Sequence, residues 1–187
     1  MRRFFPSLLA VMLLLAGCTL APPPRIYILG GPMPDGDNRV EHGLPMVDLR
    51  TVALPDYLDS TDILRRHGAN EMVASPTGRW GERLSFGLTD SLANALSQHR
   101  RDLLIGTGQR VTAQTRLFVE VTQFDIGEDG ICRLSARWRT SATDGKPLVV
   151  GDESSVTIVA KSTDDAGVAA AMSAAVDQLA ARIAPTL

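Results

Sequence analysis

The 187-residue chain has only two cysteines, three histidines and 5% aromatic residues, and its formal charge at pH 7 is −2. Each shortage excludes something. A slightly acidic, nearly balanced chain offers no electrostatic footprint for nucleic acid. His42, His67 and His99 stand in unrelated contexts without metal-ligand spacing, so neither a metal nor a cofactor is expected. There is no Gly-x-Ser-x-Gly elbow, no phosphate loop, and no nucleophile beside an evident base. Missing too is any run of roughly 20 apolar residues that could span a bilayer.

The apolar run that is present, Phe4 to Leu15, contains Pro6 and follows Arg2 and Arg3, the arrangement of a signal-peptide core behind a basic start. Leu15-Ala16-Gly17-Cys18 then resembles the bacterial lipobox, at which signal peptidase II cuts ahead of a cysteine that becomes lipidated. Competing readings are a plain secretory signal with a chance cysteine, or a twin-arginine signal, from whose usual continuation Pro6 and Ser7 depart. A diacylated and N-acylated Cys18, with chains such as palmitate, buries many methylenes at about 0.8 kcal/mol each, so attachment is effectively permanent. In lipoproteins of this type an aspartate after the cysteine retains the protein at the inner membrane. Thr19 at that place implies the periplasmic face of the outer membrane.

Removing residues 1–17 from 187 leaves 170, enough for one domain with a sizeable core, and takes the formal charge from −2 to −4 with Arg2 and Arg3 gone. Cys132 is then a lone thiol, which excludes an internal disulfide and predicts burial. The expected organisation is a signal peptide over 1–17, a lipidated cysteine and proline-rich tether over 18–25, and a single domain over 26–187. Pro22-Pro23-Pro24 makes Thr19 to Arg25 an extended tether of roughly 20 Å, at about 3.1 Å per residue.

Within the domain, Arg25 to Leu29 and Met46 to Leu54 read as strands, the second ended by Pro55. Asp62 to Arg66 and Glu71 to Ser75 flank His67-Gly68-Ala69-Asn70, which has hairpin chemistry. From Trp80 the apolar residues Leu84, Leu88, Leu92, Ala95 and Leu96 recur at three and four, giving a helix capped by Thr77 and ending near His99-Arg100-Arg101. Gly106-Thr107-Gly108 reads as a turn.

Alternation then predicts a hairpin around Asp125 to Gly130, pairing Val121 with Leu134, Val119 with Ala136 and Leu117 with Trp138. Cys132 falls on its core face, and Arg133, Arg137 and Arg139 lie opposite, near Glu120. Thr143 to Lys146 turns into a third strand, about Leu148 to Ala160, interrupted at Asp152 to Ser155 by an expected bulge. Ser162 to Asp165 starts a helix whose stripe of Val168, Met172, Ala175, Val176, Leu179 and Ile183 should pack on the sheet. The class is α+β: a two-layer sandwich, mixed or antiparallel sheet with two helices packed on one face.

Four motifs in order, Ile26-Tyr27-Ile28-Leu29, Val52 to Leu58 (Val-Ala-Leu-Pro-Asp-Tyr-Leu), Arg79-Trp80-Gly81-Glu82, and Val119-Glu120-Val121 running into Phe124-Asp125, resemble the ABC-type transport auxiliary lipoprotein family, the PqiC-like group. Ile26 stands where a second aromatic is common, and Arg83 where the family often has proline after Trp80-x-Glu. The resemblance implies a non-catalytic outer-membrane docking subunit of a lipid transport system, partnered by an MCE-domain protein and its inner-membrane permease. A homo-oligomer is left open. A periplasmic lipid-binding carrier is the alternative, and an anchored hydrolase a third.

Docking would fall on polar loops: Asp35 to His42, Asp56 to Asp62, and the hairpin tip Asp125 to Gly130. Asp56, Tyr57 and Leu58 are the leading candidates, Tyr57 as a rigid amphipathic anchor, against the simpler reading that Tyr57 and Leu58 close the sheet edge. Trp80 is either core or a partner contact. Asp56 and Asp59 could suggest a carboxylate pair, although a loop-edge and capping role explains them as well.

Overall fold

Thirteen residues, Thr115–Gly127, form the strand around which the other elements are arranged. The computed structural model describes residues 22–31, 43–108, 113–142 and 151–187; the signal peptide, Cys18, Thr19, the loop from Asp35 to His42, and the Thr143 to Leu148 turn and strand start lie outside the described residues. In chain order the elements are β1 (Arg25–Tyr27), β2 (Met46–Leu49), β3 (Asp62–His67), β4 (Glu71–Trp80), α1 (Leu84–His99), β5 (Leu104–Thr107), β6 (Thr115–Gly127), β7 (Ile131–Ala142), β8 (Gly151–Val159) and α2 (Asp165–Ile183), closed by a 3-10 turn at Ala184–Thr186.

On one edge β6 pairs antiparallel with β7, and β7 with β8. On the other edge β6 has two partners in succession: residues 115–117 run parallel to β2, and residues 126–127 parallel to β3. β2 carries β5, whereas β3 carries β4 and then β1. The sheet therefore forks at β6. The segment between the two branches fills the fork: Ala53 N donates to Val119 O at 3.0 Å, and Val121 N donates to Ala53 O at 2.9 Å. Strand twist and this fork curl the mixed sheet into a half-barrel.

Both helices cover one face of the sheet. Leu84, Leu88, Leu92 and Leu96 of α1 and the six predicted stripe residues of α2 are all buried, and they share one cluster with Leu117, Val119, Val121, Phe124, Ile126 and Leu134. Each of these Val, Leu, Ile, Met or Phe side chains contributes about 1.5–3 kcal/mol by leaving water. This stripe was readable because a helix brings residues three and four apart to one face. At the head of α2 the expected cap is present: the Asp164 side chain accepts from Gly167 N at 2.9 Å.

Five local expectations need correction. The segment Thr77 to Trp80 is the end of β4, not the start of a helix, because β1 pairs with Gly78, Arg79 and Trp80, and a cross-strand ladder outweighs local helix periodicity. The strand from Met46 stops at Leu49, since the chain must leave the ladder to enter the fork. Gly106 and Thr107 belong to β5, and only Gly108 takes a turn conformation, with φ +91.

The hairpin register is displaced by two: Val121 pairs with Ala136, Val119 with Trp138 and Leu117 with Thr140. The cause is the placement of the turn, which sets Ile126 opposite Cys132, three positions from the expected register; a bulge between Val121 and Gln123 takes back one of the three and lets both Val121 and Phe124 face the core by inserting one residue into the alternation. Finally, β8 pairs with β7 without a register shift, so there is no bulge at Asp152 to Ser155. Those residues are polar because β8 is an edge strand with mostly exposed side chains.

Candidate functional site

Pro55 to Asp59 forms a turn as the chain leaves the fork, with Leu58 N donating to Pro55 O at 2.9 Å. Its residues divide between two environments. Leu58 is buried, as is Trp80 at the end of β4, whose backbone N donates to Thr61 O at 2.8 Å. Asp56 is exposed, and Tyr57 is 47% exposed. Of the four candidate contact residues, then, Asp56 and Tyr57 stand together on the surface, while Leu58 and Trp80 lie in the core beneath.

Asp59 caps α1 from a distance. Its carboxylate accepts from Ser85 N at 3.0 Å and is paired with Arg83, whereas Arg83, at the N-cap position, makes no side-chain cap of its own. Burial opposes the charge on Asp59, but the hydrogen bonds from Ser85 and the Arg83 guanidinium outweigh it and hold the carboxyl below its usual range. This is a structural carboxylate, as the capping reading expected.

Tyr57 borders a shallow groove with Leu64, Arg66 and Met72. Arg66 is fixed there by Asp125, with Nε at 3.0 Å and Nη2 at 2.7 Å from Oδ2, and hydrogen bonding to that carboxylate raises the Arg66 pKa. Asp125 has zero exposure and also receives the Gln123 amide at 3.3 Å. Sequence reasoning missed this pair. Its partners come from different strands, and only the parallel alignment of β3 with the end of β6 brings them together.

A second buried carboxylate, Asp165, accepts from Thr77 Oγ1 at 2.6 Å, Ser75 Oγ at 2.9 Å and Arg65 Nη2 at 3.0 Å. Burial disfavours its charge, and the bonds from Thr77, Ser75 and Arg65 more than compensate, so its pKa is lowered. The cluster ties β3 and β4 to the first turn of α2. Gly78 makes room for it, since a Cβ there would lie 2.6 Å from Asp165 Oδ2. Thr77 thus serves α2, not α1.

The solvent face of the hairpin carries an open groove of about 730 Å³ beside Ala53, Phe118, Glu120, Arg137 and Arg139. The predicted Glu120–Arg137 contact is there at 2.7 Å, and the Arg139 guanidinium lies over the Phe118 ring, 4.3 Å from its centroid. Cys132 has zero exposure on the opposite, core face, and burial pushes its thiol up to about 12. Among the described residues no group of three or more His, Cys, Asp or Glu could hold a metal ion, and no helix is long and apolar enough to cross a membrane. His67 and His99 each face one carboxylate, Glu128 at 2.9 Å and Asp177 at 3.3 Å.

The described surface thus offers contact grooves, and the buried carboxylates Asp125 and Asp165 hold elements together, while buried Asp48 faces Arg50 Nη1 at 3.6 Å with its Oδ1 unbonded among the described residues. These grooves lie on an α+β scaffold. The chain belongs to the family described as ABC-type transport auxiliary lipoprotein component, whose model matches residues 27–184. Two solved structures share the fold. One, the crystal structure of an uncharacterized protein, aligns with a TM-score of 0.73 at 18% identity, covering 88% of this chain and 99% of the other. The other, protein XCC0632 from Xanthomonas campestris, aligns with a TM-score of 0.64 at 18% identity, covering 86% and 90%. The curated proteins contain no match to the sequence.

Proposed function

We propose that this chain is a non-enzymatic lipoprotein, anchored to the periplasmic face of the outer membrane through Cys18, that docks an MCE-domain protein of a lipid transport system served by an inner-membrane ABC-type or related permease. The family match across residues 27–184 carries the reading. It is supported by the lipobox at Leu15 to Cys18, with residues 1–17 as the removed signal, Thr19 as the outer-membrane sorting residue, residues 18–25 as the tether, and residues 26–187 as one domain. Buried carboxylates that are already paired and hydrogen-bonded, Asp125 and Asp165, favour a role in contacts over one in catalysis.

Docking is assigned to the Asp56–Tyr57 tip. Tyr57 is half exposed beside Arg66 and Met72, the mixed setting in which a tyrosine makes an interface anchor. Self-association is compatible with this arrangement. The carrier alternative is less well supported, because Leu88, Leu92, Leu96, Leu117, Leu179 and Ile183 fill the space between sheet and helices with zero exposure. Purification of the tagged chain from detergent-solubilised membranes, followed by mass spectrometry, tests the proposal. Co-purification of an MCE-domain protein is expected, and co-purification of lipid alone would favour the carrier.

A further inference from the structure

Ile26 and Ile28, on and just after the three-residue edge strand β1, are 63% and 69% exposed. Alternation sends their neighbours Arg25 and Tyr27 to the other side, where both border a groove with Ser75 and Thr77. The two isoleucines lie together over Gly81: a Cβ built there would be 3.3 Å from Ile26 Cγ2 and 3.8 Å from Ile28 Cγ1. A crevice between Ile28, Gly81, Leu84 and Gly87 joins them to the first turn of α1, where Phe86 is 50% exposed. Single exposed apolar residues are ordinary, but here two of the six large ones on the described surface adjoin each other at the root of the tether.

Chain length indicates what covers them. Ile26 stands eight positions after Cys18, so the intervening chain reaches at most about 29 Å even when fully extended. A folded domain of this size has a diameter of about 40 Å. With Cys18 in the lipid, the far pole of the domain cannot be turned to the bilayer, and the surface where the tether emerges is held near it. Tethering also supplies a high effective concentration, so a small apolar patch suffices to bind.

We propose that Ile26 and Ile28 seat the domain on the lipid surface that carries its own acyl anchor, entering the boundary between headgroups and acyl chains. This seating rests on the anchor reading of Cys18. It sets the domain's orientation, so that the surface away from β1 faces the periplasm.

The test uses the mature acylated chain in vesicles of phosphatidylethanolamine and phosphatidylglycerol with brominated acyl chains. Ile28→Cys provides a reactive thiol, because Cys132 is fully buried and the acylated Cys18 is a thioether. The control is Gln98→Cys, exposed near the far end of α1, about 18 Å along the helix from Phe86. With a polarity-sensitive fluorophore on each, the label at 28 should be quenched at least threefold more strongly by the bromines than the label at 98. Ile26→Ser introduced beside the label should reduce that quenching. Equal quenching at the two positions while the protein floats with the vesicles would overturn the seating. Blue-shifted emission at 28 without bromine quenching, growing with protein density, would overturn it in favour of a second copy on the patch. If the chain fails to float and mass spectrometry finds Cys18 unmodified, the anchor reading itself fails, and the seating with it.

Discussion

The Arg66 guanidinium and the Asp125 carboxylate meet at 2.7 Å although 59 positions separate them in the chain. Asp125 is fully enclosed and Arg66 reaches the surface, so the pair joins the fork of the sheet to the groove beside Tyr57. Removing the arginine leaves a buried carboxylate that, among the described residues, keeps the Gln123 amide as its side-chain partner. Arg66→Ala is expected to cost roughly 3 kcal/mol, the lower end for an orphaned buried ion. Urea denaturation of the two proteins at neutral pH measures it. A loss under 1 kcal/mol would show that solvent reaches Asp125.

Asp165 gives the fold an acid dependence of known sign. Its folded pKa is depressed below the ordinary 3.8, so its contribution is present above that value and is lost as the pH falls through the lower folded value. Thr77→Val removes the 2.6 Å hydrogen bond to this carboxylate. The variant should be less stable than the parent by about 1.5–3 kcal/mol at pH 7, and the gap should shrink as the pH falls through the lowered folded value and the carboxyl is protonated. Urea melts at neutral pH and in acid check this, and a gap independent of pH would contradict it.

Cys132 should react slowly with a thiol reagent in the native protein and promptly in denaturant. It is fully buried between Arg133 and Ile131 on the core face of β7, and its thiol is raised to about 12. A time course with and without urea distinguishes the two states. Fast native labelling would mean that β7 opens locally.

The anchor proposal makes two fractionation predictions. Cys18→Ala should leave soluble or unprocessed protein with an unchanged thermal melt, and Thr19→Asp should move the protein toward the inner membrane. Density-gradient separation of the two membranes reads both. Cys18→Ala protein still firmly in the outer membrane would reject lipidation as the means of attachment.

How far the sequence reveals this structure depends on how local each cause is. The α2 stripe from Val168 to Ile183 and the burial of Cys132 follow from periodicity within one element, and both hold. The bulge near Thr122 leaves no mark in an alternating run and shifts the pairing by one, while the turn that sets Ile126 opposite Cys132 supplies the rest of the offset, so Trp138 faces Val119 and not Leu117. Thr77 to Trp80 have helical spacing with the leucines that follow, but β1 captures them as strand, and nothing near them in sequence announces it. At the candidate site, the exposure of Tyr57 and the capping by Asp59 were within reach of turn chemistry. The Arg66–Asp125 pair beside them was not, because it exists only once β3 and β6 are aligned.

The central claim is that the domain works by holding a protein partner at the Asp56–Tyr57 tip. Asp56 is exposed, so Asp56→Lys should leave the thermal midpoint within about 2 °C of the parent, as surface substitutions away from buried features do. The most direct measurement is the amount of MCE-domain protein recovered with the tagged parent and with Asp56→Lys from detergent-solubilised membranes, at equal yields of the tagged chain. The account predicts clear recovery with the parent and at least a tenfold loss with the variant. Equal recovery with both would take docking away from this tip, and lipid without any MCE-domain protein in the parent sample would contradict the docking role itself.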